Sequence, residues 1–197
     1  MTKPSLVFAS HNANKVKEIR ALLPNYEVLS LSDLNFKEEI PETGSTLETN
    51  AQIKAQRIFK EFGKAVFADD TGLLVDALKG APGVFSARYA GADANAEANM
   101  QKLLHSLQGE TSRKAHFKTS ICFINEKGES RFFEGRVDGE ILAEKAGEKG
   151  FGYDPIFKAV GEKLSFAEMS PQAKNKISHR GRALNALIQF LQESEKK

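Results

Sequence analysis

The chain has 197 residues and a formal net charge of +2, from 28 basic and 26 acidic side chains, with 41% hydrophobic and 27% charged positions. That is the make-up of one ordinary globular domain spanning 1–197, and so even a charge balance excludes a nucleic-acid coat or a protein held on a membrane by its charge. No apolar stretch reaches membrane-spanning length, and the one cysteine, Cys122, sits in the apolar run Ile121–Ile124, which excludes an intramolecular disulfide and points to a cytoplasmic protein.

Taken in chain order, Ser5 to Ala9 reads as a short buried strand. Asn12 or Asn14 is placed to cap a helix in which Val16, Ile19, Leu22 and Leu23 recur at helical spacing until Pro24. Glu27 to Leu31 reads as a second strand. Ser45 with Glu48 has the pattern of a capping box and opens a helix through Phe62, with Leu47, Ala51, Ala55, Ile58 and Phe62 inward and Gly63 as the stop. Ala65 to Ala68 and Leu73 to Leu78 are predicted strands on either side of an acidic turn, Asp69-Asp70. Gly80 to Tyr89 is a tight proline–glycine loop.

Asn95 to Leu107 is predicted helical, with Met100, Leu103, Leu104 and Leu107 as its apolar stripe. Phe117–Ile124 and Ser130–Val137 are strands joined by a hairpin turn at Asn125–Glu129. Ser170-Pro171 is a helix start, and a last helix runs from about Arg180 to Glu193. Strands and helices mix without strict alternation, so the expected class is α/β (mixed α+β) with a mixed sheet and flanking helices.

Five segments carry chemistry. Two adjacent carboxylates, Asp69 and Asp70, follow an apolar run, where each is costly unless something positive neutralises it; a hard divalent cation does so well. A plain acidic turn is the other reading. Ser10-His11-Asn12-Ala13-Asn14-Lys15 lies between a strand and a helix, where unpaired N–H groups and a lysine suit a phosphate; a simple helix cap is the alternative. Glu42-Thr43-Gly44 offers a carboxylate that can reach a metal held by Asp70, or is an exposed acidic loop. Gly150-Phe151-Gly152-Tyr153-Asp154 presents an aromatic ring between glycines, fit to stack on a base, with Asp154 held extended before a proline. Lys174, His179 and Arg180 lie in a basic stretch whose donors suit phosphates or carbonyl oxygens. Carboxylates, phosphate cradle, aromatic and donors together describe a nucleoside triphosphate site.

At these residues the sequence resembles the inosine triphosphate pyrophosphatase family, nearly end to end. The resemblance is carried by Ser-His-Asn-Ala-Asn-Lys at 10–15, Glu-Thr-Gly at 42–44, Ala-Asp-Asp-Thr-Gly-Leu at 68–73, Gly-Ala-Pro-Gly-Val-Phe-Ser-Ala-Arg-Tyr at 80–89, Gly-Phe-Gly-Tyr-Asp-Pro at 150–155 and Ser-His-Arg at 178–180. It implies an elongated two-lobed fold with the active site in a cleft between lobes, a homodimer, Mg2+ dependence, and hydrolysis of dITP, ITP and XTP to the monophosphate and pyrophosphate. By position it implies Asp70 as general base and metal ligand, Glu42 as second metal ligand, and Lys15 as a catalytic cation. Ser10, His11, Asn12, Ala13, Asn14, Lys15 and Thr71 fall on the phosphate and ribose side. Phe151, Gly152, Tyr153, Asp154, Lys174, His179 and Arg180 fall on the base side. Serine at position 10 and threonine at 71 exchange the hydroxyls usual in the family. The rival readings are a pyrophosphatase of related fold acting on modified pyrimidine nucleotides, and a non-catalytic nucleotide- or RNA-binding module.

Overall fold

The computed structural model describes residues 3–194. In chain order the elements are β1 (Ser5–Phe8), α1 (Ala13–Leu22), β2 (Glu27–Ser30), α2 (Leu47–Phe62), β3 (Val66–Val75), β4 (Pro82–Gly83), α3 (Ala96–Ser106), β5 (Lys114–Ile124), β6 (Ser130–Ile141), β7 (Phe157–Ala159), α4 (Pro171–Ile177) and α5 (His179–Ser194). The sheet has the order β2-β1-β3-β5-β6-β7, with β4 on β3. β1 pairs in parallel with both β2 and β3, because α1 and α2 carry the chain back across the sheet between them. β4 on β3 and β7 on β6 are antiparallel. The sheet is therefore mixed and flanked by helices, as the unalternating order of elements implied.

The described chain folds into two compact units, one holding 3–70, 119–135 and 181–194, the other 71–118 and 136–180. β3, β5 and β6 each give one part to each unit. In the first unit the strand pleat sorts side chains by face. Leu6, Phe8, Phe67, Ile121 and Phe123 meet Val16 and Ile19 of α1 and Leu184 and Leu187 of α5. The residues between them, Val7, Val66, Ala68, Cys122 and Ile124, meet Ala51, Ala55 and Ile58 of α2. Phe8 and Phe67 stack at 4.8 Å in the first of these layers. Burial pushes the Cys122 thiol up to about 11, as expected of an inert core thiol.

The second unit has its own core, including Leu73, Val75, Met100, Leu103, Val137, Ile141 and Phe157. Arg113 ties β5 to the end of β6 by donating to the carbonyls of Ile141 at 2.6 Å and Leu142 at 2.7 Å.

Three expectations change. The pair Asp69-Asp70 is not a turn: β3 runs unbroken from Val66 to Val75 through both acids. The expectation took the two acids to end the strand, whereas the strand continues and sends them to opposite faces. α2 is capped by Thr46, whose Oγ1 accepts the Thr49 N–H at 3.1 Å, and not by Ser45 with Glu48. β5 and β6 reach back to Lys114 and on to Ile141, because their added ends alternate polar outward and apolar inward residues, such as Lys114 with Ala115.

Phe67 is fully buried. Phe67→Ala is expected to cost about 3–5 kcal/mol in urea denaturation, whereas Phe132→Ser, at a position 43% exposed, should change stability by under about 0.5 kcal/mol.

Candidate active site

The loop after β1 turns into α1 through Asn12. Its Oδ1 accepts the backbone N–H groups of Asn14 at 3.0 Å and Lys15 at 3.1 Å, while Ser10 Oγ accepts the Asn12 N–H at 3.2 Å. Two of the N–H groups expected to meet a phosphate are thus engaged by the cap. His11 stands outside the helix. Its Nε2 lies 3.0 Å from the Glu38 carbonyl; a carbonyl only accepts, so this nitrogen carries the proton. The ring also stacks on Phe36 at 6.3 Å. Ala13 and Asn14 are exposed on the first turn, and Lys15 Nζ reaches Asp69 at 3.0 Å.

The pleat of β3 decides the rest of this unit. Phe67 and Asp69 point toward the α1 layer; Val66, Ala68 and Asp70 point toward α2. Asp69 therefore meets Lys15, and Asp70 meets α2, where Asn50 Nδ2 donates to its Oδ2 at 3.1 Å and Lys54 Nζ lies 3.8 Å from its Oδ1. Lys54 also holds Glu42, at 2.5 Å. Burial is the main force on Asp70 and raises its pKa; Lys54, Lys15 and the Asn50 hydrogen bond pull down, Glu42 pushes up, and the net shift is upward. Burial likewise pulls Lys54 down, yet Asp70, Glu42 and Asp69 together outweigh it and leave the ammonium above its ordinary value. Both shifts are upward, which disfavours the charged form of Asp70 and favours that of Lys54. Lys54 answers to three carboxylates, so its charge is secure; Asp70 is under-compensated for its burial.

Among the described residues no three His, Cys, Asp or Glu side chains gather as a metal-binding group. Mg2+ does not require one, since it takes one or two carboxylates and completes its shell with water and phosphate oxygens. Glu42 and Asp70 fit that need. They are hard oxygen donors converging on one cation, the Lys54 ammonium, and the burial of Asp70 demands positive charge beside it.

In the second unit Gly150 and Gly152 flank Phe151 with φ of +76° and +65°, values that favour glycine. A Cβ on Gly150 would lie 2.1 Å from Asp154 Oδ2. That oxygen accepts from the Phe151 N–H at 2.8 Å and from Lys174 Nζ at 2.7 Å. Lys174 and the Arg180 guanidinium sit 5.1 and 5.5 Å from the centre of the Phe151 ring, and Arg180 donates to Thr71 Oγ1 at 3.4 Å. Asp154 begins a 3-10 turn, Asp154–Ile156, and is not extended as expected before a proline. Tyr153 turns inward: its hydroxyl donates to the Ser86 carbonyl at 2.8 Å, and burial raises its pKa. His179 is buried and stacks on Phe117 at 4.5 Å.

Sequence reading overlooked Asn50 and Lys54. They sit one turn apart on α2, each just before a core alanine, Ala51 and Ala55, and that polar pair at the margin of an apolar stripe was the available signal. Asp69 was noticed only as half of an acidic pair, and its partnership with Lys15 depends on the strand.

With this geometry established, comparison with known proteins assigns the family. The Ham1 family model matches residues 6–190. The chain belongs to the Ham1 family. It is 54% identical over 187 residues, 94% of this chain and 98% of the relative, to a protein of Christiangramia forsetii named dITP/XTP pyrophosphatase. The Staphylococcus aureus Ham1 protein superposes with a TM-score of 0.88 at 43% identity, and a HAM1 protein from Coxiella burnetii with 0.88 at 40%; each match covers 96% of this chain and 99% of the other. The resemblance carried by the six motifs is borne out.

The charge asymmetry around Asp70 makes a prediction for this Ham1-family chain. A raised pKa means that the protonated form favours the fold; that stability is complete below the ordinary value of 3.8 and is lost as pH rises through the raised one. Without divalent cations, Asp70→Asn should therefore melt at or above the parent temperature at pH 7, with the difference closing as pH falls toward 3.8. Lys54→Met, which strands buried acids, should cost about 3–5 kcal/mol. Thermal melts across pH check both.

Proposed function

We propose that this chain is a nucleoside triphosphate pyrophosphatase that hydrolyses dITP, ITP and XTP to the monophosphate and pyrophosphate, keeping these purines out of DNA and RNA. The observation that carries the reading is the part-buried Glu42–Lys54–Asp70 cluster, whose Asp70 lies beside Asp69 of the Lys15–Asp69 pair on β3. Relatives named dITP/XTP pyrophosphatase, at 44–54% identity, support it.

In this reading Asp70 orients a water toward the α-phosphorus and takes its proton, and a carboxylate whose pKa is raised by burial is a better base than one in water. The new bond joins the water oxygen to the α-phosphorus. The bond to the α,β-bridging oxygen breaks, and pyrophosphate leaves with that oxygen. Lys15 offsets charge that grows on the phosphate oxygens, and such terms are typically worth ~3 kcal/mol, about a hundredfold in rate. Mg2+, held by Asp70 and Glu42, would supply further charge neutralisation and a lower pKa for water. Ser10, His11, Asn12, Ala13, Asn14 and Thr71 are assigned to the phosphate and ribose. Phe151 with Gly152 is assigned to stacking on the base. Asp154 holds Lys174 and the Phe151 backbone in place, and Tyr153 and His179 support the loop from inside.

Selectivity follows from the C6 substituent. Hypoxanthine and xanthine carry an acceptor there, and adenine a donor. A Lys174 or Arg180 donor aimed at C6 pairs with the first and is left unpaired by the second, a contrast that can reach about 10⁴. The chain is further proposed to be a cytoplasmic homodimer; no helix among the described residues is long and apolar enough to cross a membrane.

Pyrophosphate release from dITP, ITP, XTP, GTP and ATP, with and without Mg2+, tests the assignment. Inosine and xanthosine triphosphates should exceed ATP in kcat/KM by about a hundredfold or more, the effect of unpairing a built-in hydrogen bond, and turnover should require Mg2+. Equal values for ITP and ATP would remove the selectivity argument, and a folded Asp70→Asn enzyme with normal kcat would remove the mechanism. Sedimentation at the 21.7 kDa monomer mass would rule out the dimer.

A further inference from the structure

We infer that Asn50 is a positioning residue for this reaction: its side-chain amide fixes the spacing between the Glu42 segment and Asp70. The inference rests on the pyrophosphatase reading above. Asn50 is fully buried on α2. Its Oδ1 accepts the Gly44 N–H at 2.8 Å. An N–H only donates, so that atom is the oxygen, and the NH2 is the group that donates to Asp70 Oδ2 at 3.1 Å. One planar group thus spans from the backbone two residues after Glu42 to the carboxylate on β3.

Lys54, one helical turn later, makes a second span between Glu42 and Asp70. The two spans differ in kind. The Lys54 span is ionic, and any cation approaching the two acids competes with it. The Asn50 span is neutral and lets the spacing persist whichever cation lies between them. Position 44 is shaped for this contact. A Cβ there would lie 2.7 Å from Asn50 Oδ1 and 2.8 Å from Thr49 Cβ, so the segment can come this close only without a side chain.

Two substitutions break opposite arms of the amide. Asn50→Asp keeps an acceptor for the Gly44 N–H and replaces the neutral donor to Asp70 by a second carboxylate. Gly44→Ala forces the segment off Asn50 and leaves the Asp70 arm intact. Steady-state kinetics with ITP, and hydrogen exchange of residues 40–46 in substrate-free protein, are measured for parent, singles and double.

Each single should lower kcat by about 10–100-fold, the penalty for a displacement near 1 Å, with KM changed less than about threefold. The double should be no slower than the slower single, and Gly44→Ala should speed exchange over 42–46. Folded variants with parental kcat, or losses that multiply in the double, would overturn the inference. If Asn50→Asp does not fold, Gly44→Ala alone decides, by kcat and by exchange. A parent that releases no pyrophosphate from ITP defeats the pyrophosphatase reading instead; unchanged exchange over 42–46 in Gly44→Ala then overturns the tether by itself.

Discussion

A β-strand sends neighbouring side chains to opposite faces, and in this molecule that simple alternation governs where charge is buried. Asp69 and Asp70 are adjacent in sequence and both buried, an arrangement that would be prohibitive if they shared one environment. Because β3 continues straight through them, they do not. Asp69 enters the layer of α1 and meets Lys15; Asp70 enters the layer of α2 and meets Asn50 and Lys54. The parallel pairing of β1 with β2 and β3 makes this possible, since it requires helices on the return paths and places α1 and α2 against the two faces.

The same layout lets charge be buried without being stranded. Each acid has a cation, so neither is stranded, but Asp70 is not fully repaid for leaving water, and its pKa stays up. Lys54 carries the balance by facing three carboxylates at once. Charge is concentrated rather than cancelled, and concentrated charge is what a triphosphate with its cation can engage. The Asn50 amide adds rigidity without altering that charge.

The second unit solves a different problem, holding an aromatic ring near cations. Two glycines in left-handed conformations shape the Phe151 loop, and Asp154 locks it from within by accepting from both the Phe151 backbone and Lys174. Tyr153 and His179 face the core, one bonded to Ser86 and one stacked on Phe117. Residues next to one another in a motif thus differ in surroundings, with Tyr153 packed inward while Phe151 lies beside Lys174 and Arg180.

Much was legible from local pattern. The helical spacing of Val16, Ile19 and Leu22, the stop at Gly63, the Ser170-Pro171 start and the order of the short motifs are properties of neighbouring residues, and helix positions, the mixed class and the family follow from them. Partners were not legible in this way. Lys15 and Asp69 lie 54 positions apart, and Asn50 and Asp70 lie 20 apart. Nothing in the local sequence says which lysine meets which acid, that Asp69-Asp70 is strand and not turn, or that Asn50 and Lys54 belong with the carboxylates. Those outcomes depend on sheet order and on which face each helix covers, and burial together with the partners so assembled then shifts Asp70 and Lys54. Chain chemistry alone determined what kind of site this is; only folding decided its connections, since pairing across a sheet is a matter of distance in space, which periodicity along a chain does not encode.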